Sequence, residues 1–234
     1  TAYYSEKLKQ KLFAIDDELL RPYFQLDKVL EGVFTISNKL FGLSFEKRTD
    51  VDTYHDEVTV WQVSDANGKD MGLLYTDFHP RPGKRNGAWK TSYRSQEKKN
   101  GKDIRPHISI VCNFSRPSKD KPSLLTFNEV TTLFHEFGHA LHGLLANTTY
   151  ASLSGTSVYW DFVELPSQLL ENWCYEKEAL SLFAKHYKTD ELIPMKYVER
   201  IQDLLKFQEG LQTLRQLSFG ILDMTWHNNN PSAF

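Results

Sequence analysis

The chain has 234 residues, 40% of them hydrophobic and 13% aromatic, which is enough to close one sizeable core or two small ones. A net charge of −2 removes the electrostatic case for nucleic acid or an anionic membrane surface as a partner. No apolar run approaches the ~20 residues of a spanning helix, so a membrane partner is not expected either.

Residues 1–42 read as a helical hairpin. Leu8, Leu12, Ile15 and Leu19 recur at helical spacing, and Arg21-Pro22 stops that helix. Leu26, Val29, Leu30, Val33, Phe34 and Leu40 carry a second helix that ends near Gly42. Over residues 43–115 the period changes, and a small antiparallel or mixed sheet is expected. Val58, Val60 and Val63 form one strand, Asp65-Ala66-Asn67-Gly68 a turn, Met71 to Tyr75 the return strand, and Ile108 to Phe114 a further strand. Between them runs a polar loop from Phe78 to Gly87 carrying Arg81, Lys84 and Arg85. Such loops are usually solvated; the functional alternative is that it attracts a peptide carboxylate. Cys112 and Cys174 stand far apart without a Cys-x-x-Cys partner, which predicts structural thiols in a reducing, cytoplasmic setting.

Arg116 to Pro122 is a Pro/Ser/Lys linker into the most informative stretch, Thr126 to Leu145. Thr126 with Glu129 reads as a capping box, and Val130, Leu133, Phe134, Phe137, Leu141 and Leu144 give a broad apolar face. Within it, His135-Glu136-Phe137-Gly138-His139 is an H-E-x-x-H motif. Positions i and i+4 lie one turn apart on one face, so His135 and His139 can present both imidazoles to one metal ion. Glu136 flanks them without ligating, where a general base sits. Gly138 weakens a helix by about 1 kcal/mol against Ala, so close packing is the expected reason for it. Downstream, helices are expected over about 158–175, 177–187, 194–207 and 210–227. The whole of 123–234 thus reads as a helical zinc-binding region, and the chain as mainly α with a small β-sheet (α+β).

Catalytic zinc takes three protein ligands and keeps a fourth position for water. The pattern H-E-x-x-H-x-x-G-x-x-H is excluded, because His142 stands where it needs Gly and Leu145 where it needs His. A downstream carboxylate is the other solution. Spacing favours Glu164, flanked by apolar Phe162, Val163 and Leu165, over its rivals Glu171 and Glu176. Gln168 and Glu171 lie on the same helical face as Glu164 and could orient an imidazole, or stand solvated. His142 is expected to pack or hydrogen-bond beside the ligands, since a fourth protein ligand would close the site. His55, His79, His107, His186 and His227 are isolated.

His135 to Leu145 (HEFGHALHGLL) followed by SGTSVYWDFVELPSQLLENW resembles the thimet oligopeptidase family of zinc metallopeptidases, and within it the bacterial peptidyl-dipeptidases (dipeptidyl carboxypeptidases). Gly87-Ala88-Trp89, Arg105-Pro106, Cys112-Asn113-Phe114 and Leu217-Ser218-Phe219 add to the likeness. The resemblance implies a zincin-like catalytic domain with one zinc on His135, His139 and Glu164, and Glu136 as base. It implies an oligopeptide substrate losing C-terminal dipeptides. An endo-acting oligopeptidase, or a catalytically incompetent zinc- or peptide-binding domain, is the alternative. Members also carry a downstream segment, H-x-F-x-G-G-Y-x-A-G-Y-Y-x-Y, thought to bind substrate and steady the oxyanion. Nothing like it occurs here, so the chain is expected to be the metal-bearing middle of a larger enzyme and, alone, to hydrolyse peptides weakly. Gly87-Ala88-Trp89 is the expected edge for an extended peptide, because small residues admit a close backbone, with a plain turn as the equal alternative. Oligomeric state is left open.

Overall fold

The computed structural model describes residues 2–13, 17–204 and 206–228. It divides into two compact units, Asp16–Met195 and a smaller one of Thr1–Ile15 with Lys196–Phe234. The smaller unit carries α1 (Ala2–Phe13), most of α8 (Met195–Leu204) and α9 (Glu209–Asn228), and Ser5 Oγ donates to Gln208 Oε1 within it. Leu8 and Leu12 are exposed, as is Leu19 in α2 (Asp17–Leu20) of the larger unit, so the expected apolar stripe of a first helix is not a buried face. Ile15 lies outside the described residues.

The larger unit is an α+β body. Its α3 (Leu26–Phe41) buries Leu26, Val29, Leu30, Val33 and Ile36 and stops at Gly42, whose left-handed φ of 68° a side chain would strain. Seven strands follow: β1 (Ser44–Arg48), β2 (Thr59–Ser64), β3 (Asp70–Asp77), β4 (Trp89–Arg94), β5 (Glu97–Lys99), β6 (Lys102–Ile104) and β7 (His107–Val111). Five of them form a mixed sheet in the order β1-β2-β3-β7-β4, with β3 and β7 parallel and the other pairs antiparallel. The β2–β3 turn is held by Asp65 Oδ1, which accepts from the amides of Asn67 (2.8 Å) and Lys69 (2.9 Å). β5 and β6 make a separate hairpin over Asn100-Gly101, both at positive φ, as a tight primed turn requires.

Helix α4 (Phe127–Leu144) lies against β7 and β4, burying Val130, Leu133, Phe134, Phe137, Leu141 and Leu144. Both its ends are satisfied. Thr126 Oγ1 accepts from the Glu129 amide (3.1 Å) while Glu129 Oε2 accepts from the Thr126 amide (2.8 Å). At the other end the buried Arg105 guanidinium donates to the carbonyls of Leu144 and Ala146, and also to Met71 O in β3. One cation thereby caps the helix, answers its dipole and ties it to the sheet.

Beyond α4, one helix expected over 158–175 is instead a corner. Residues 160–163 form α5 (Trp160–Val163), 165–171 form α6 (Leu165–Glu171), and a 3-10 turn runs on to Tyr175 before α7 (Lys177–Phe183). Pro166 explains the break, since it lacks an N–H and is tolerated in the first turn of α6 but not inside a continuous helix. Glu164 occupies the corner itself.

Candidate metal centre

On α4 the rings of His135 and His139 stand 4.8 Å apart, centroid to centroid, as residues one turn apart must. Their Nε2 atoms converge on one oxygen: Glu164 Oε2 lies 3.2 Å from that of His135 and 3.1 Å from that of His139. One ligand atom from each of the three lies within 4.8 Å of the other two, the one such group among the described residues.

The corner holds Glu164 in place. Ser167 Oγ donates to both its carbonyl (2.9 Å) and its Oε2 (2.8 Å). Gly138 lets the corner approach. A Cβ there would sit 2.6 Å from both Pro166 O and Ser167 Cα, closer than real contacts allow. The glycine inside the motif is therefore explained by backbone packing of α6 on α4, which sets the carboxylate beside the two rings.

Glu171 faces the other side of the first ring. Nδ1 of His135 donates to Glu171 Oε1 at 2.6 Å, which fixes the tautomer and leaves Nε2 with its lone pair turned toward Glu164. That bond, the largest influence, and the surrounding carboxylates hold the His135 imidazole above its ordinary value, while burial pulls His139 below it. Glu136 is of another kind. It is buried, its Oε2 has no hydrogen-bond partner among the described residues, and burial pushes its carboxyl up to about 7.

A divalent metal fits these residues. Two imidazole nitrogens and one carboxylate oxygen are the donor set of a three-ligand catalytic zinc site, and the second nitrogen of His135 is already anchored. The cleft that holds them has a volume of about 390 Å³ and is also lined by Ala88, Trp89 and Lys90. A larger cavity of about 930 Å³ is lined mostly by apolar residues, with His142, Thr148, Asn172 and Glu176 among them. None of the three converging residues lines that cavity, so chemistry and not size locates the candidate site.

The remaining expectations land as follows. His142 Nδ1 is buried without a partner among the described residues, and the ring meets Phe162 edge-on at 6.1 Å, so it packs against the corner. Gln168 is exposed, and no side-chain hydrogen bond of its own is found among the described residues; only its amide acts, donating to Glu164 O. Trp89 opens β4, one of the two edge strands of the sheet, whereas Gly87 and Ala88 precede it. Gly87 is needed for its φ of 96° and not for a close approach, because a Cβ there would meet open space. The basic loop is largely exposed, Arg85 included, but its Arg81 and Lys84 are engaged. Arg81 donates to both Asp77 oxygens (2.7 and 2.8 Å), Lys84 donates to Oδ1 (2.8 Å), and Arg85 stacks over Trp89. Cys112 and Cys174 are free, buried thiols that burial holds above their usual value. No helix among the described residues is long and apolar enough to cross a membrane.

Comparison with known proteins bears on the same site. The profile of peptidase family M3 matches residues 1–233. Oligopeptidase A of Salmonella typhimurium is 45% identical over 228 residues, which cover 97% of this chain and 34% of that protein. Dipeptidyl carboxypeptidase of Escherichia coli is 41% identical over 227 residues, covering 97% and 33%. Saccharolysin of Saccharomyces cerevisiae is 38% identical over 237 residues, covering 96% and 33%. The chain therefore spans about a third of the length of the curated relatives it matches.

Proposed function

The chain belongs to peptidase family M3, and from that premise we propose that it carries the metal centre of a zinc-dependent peptide hydrolase that releases C-terminal dipeptides from oligopeptides. The observation that carries the reading is the convergence of His135 Nε2, His139 Nε2 and Glu164 Oε2 to within 4.8 Å of one another. Those three residues would hold zinc. When bound, the ion supplies Lewis acidity, making water a nucleophile near neutral pH and polarising the scissile carbonyl.

The chain's own residues do the rest. Glu136 takes a proton from the attacking water and returns it to the leaving amine. Its buried carboxyl, pushed up to about 7 and with Oε2 unpartnered among the described residues, is matched to both transfers at neutral pH. Glu171 keeps the His135 ring in one tautomer and orientation. Trp89 and the strand it opens offer backbone groups along one wall of the cleft, where an extended peptide can add as a further strand.

Relatives named for oligopeptidase and for dipeptidyl carboxypeptidase activity match at similar identity, so an endo-acting oligopeptidase is the second reading. One peptide assayed with a free and with an amidated C-terminus separates the two, because a carboxydipeptidase needs the free carboxylate. For the chemistry itself, Glu136→Gln is expected to keep zinc bound while lowering turnover by about a hundred- to ten-thousandfold. Undiminished hydrolysis by that variant would take the base role from Glu136.

A further inference from the structure

Lys90 is the second residue of β4 and projects to the side of the sheet that α4 covers. It pairs with Ile110, as Ser92 pairs with Ile108, and both isoleucines are fully buried. Its stem runs past α4, with Cε 3.9 Å from where a Cβ on Gly143 would stand. The ammonium donates to Ser92 Oγ at 2.5 Å and to Thr156 Oγ1 at 2.9 Å. It lines the same cleft as His135, His139, Glu136 and Glu164, and among the described residues lining that cleft it is the one lysine or arginine.

An ammonium has three N–H donors and no acceptor. Two are spent on neutral hydroxyls, and no ion pair of Lys90 is found among the described residues, in contrast with Arg81 and Lys84, which share Asp77. A half-buried cation without a counter-charge is costly, and burial alone pulls this one down to about 8, still cationic at neutral pH. An incoming anion would use the third donor and restore the balance. The two hydroxyls meanwhile hold the flexible side chain in one place, so little rotamer entropy remains to be lost on binding.

We propose that Lys90 is a specificity-determining residue whose ammonium receives a carboxylate of the peptide substrate in the metal cleft. The inference rests on the peptidase reading. Two sources share this chemistry, the C-terminal carboxylate and an acidic side chain near the scissile bond. A C-terminal dipeptide spans at most roughly 7 Å, so a cation in so small a cleft is within the scale of the first source.

The test is a calorimetric titration of the zinc-loaded Glu136→Gln chain with matched tetrapeptides. One pair differs only in a free against an amidated C-terminus; a second, amidated pair differs only in Glu against Gln. Each pair is titrated again with Lys90→Gln, which keeps donors for the two hydroxyls but loses the charge, and with Lys90→Arg, which keeps the charge. With Lys90 in place, the carboxylate-bearing member of one pair should bind about tenfold tighter than its neutral match, in line with a charge-assisted hydrogen bond. Lys90→Gln should bring that ratio near one without changing the affinity of the neutral peptide, and Lys90→Arg should retain most of it. The pair that discriminates identifies the source. Equal affinities with Lys90 present, or a ratio unchanged in Lys90→Gln, would overturn the proposal, the second outcome leaving Lys90 only a tether of strand to loop. Because the readout is binding by an inactive variant, loss of discrimination overturns this proposal alone, whereas the peptidase reading fails if the chain binds no zinc or if Glu136→Gln leaves hydrolysis undiminished.

Discussion

The two sides of the metal centre are built differently. Helix α4 supplies His135 and His139 from an 18-residue element, capped by Thr126 and Glu129 at one end and by Arg105 at the other, with its apolar face sealed on the sheet. The corner of α5 and α6 supplies Glu164 from helices of four and seven residues, with the carboxylate side chain 48% exposed. Tyr159 and Trp160 beside it are almost fully exposed. The first side is rigid through its own periodicity and packing. The second has little packing of its own and is positioned by what it touches: the bare backbone at Gly138 and the Ser167 hydroxyl. The two histidines come preset by their helix, whereas the place of the carboxylate depends on a contact between elements.

That difference can be attacked from several directions. Glu171→Ala removes the acceptor that orients the His135 ring and should weaken zinc affinity by about 10- to 100-fold, measured by competition with a chelator. An unchanged affinity would mean that packing alone orients the His135 ring. Gly138→Ala asks about the contact. On helix propensity the change should stabilise α4 by about 1 kcal/mol, but overpacking against Pro166 and Ser167 costs about 1–3 kcal/mol. A net loss in thermal stability together with weaker zinc binding is expected. A stabilised variant with wild-type zinc affinity would show that the corner needs no close approach.

The sheet that backs α4 carries a pH-dependent element. Asp77 is buried at the end of β3, and although burial opposes it, Arg81, Lys84 and Tyr54 hold its carboxyl down to about 2. A carboxyl lowered on folding stabilises the native state above its unfolded pKa, and that stability is lost as pH falls through the folded value. Unfolding free energy should therefore decline between about pH 4 and pH 2 by on the order of 1–2 kcal/mol from this group, and Asp77→Asn should flatten the decline. An equally steep acid limb in the variant would assign it to other groups.

What could be read from the chain follows the same division. The α4 helix, its capping box and the facing pair of imidazoles follow from 3.6-residue periodicity and local chemistry, so all were legible before any coordinates. The turn at Asp65 was legible for the same local reason. Glu164 was favoured over Glu171 on spacing, yet nothing local says that one faces both Nε2 atoms and the other Nδ1. That depends on how closely α6 meets α4, a fact about two elements. Two local signals also stand in the chain, Pro166 for the break between α5 and α6 and Asn100-Gly101 for the β5–β6 hairpin. β1 was missed because its outward residues are charged, as suits an edge strand. The role of the basic loop turned on Asp77, whose ion pairs no periodicity announces. Lys90 escaped notice because a single lysine in a strand carries no motif; only the cleft around it gives it meaning.

The most direct measurement is zinc content and affinity of the purified chain beside Glu164→Gln, by elemental analysis after dialysis and by competition with a chelator. Wild type should hold one zinc per chain, and the variant should bind far more weakly while its far-ultraviolet circular dichroism stays the same. Equal zinc affinity in both proteins would show that the carboxylate is no ligand and would contradict the metal centre assembled here.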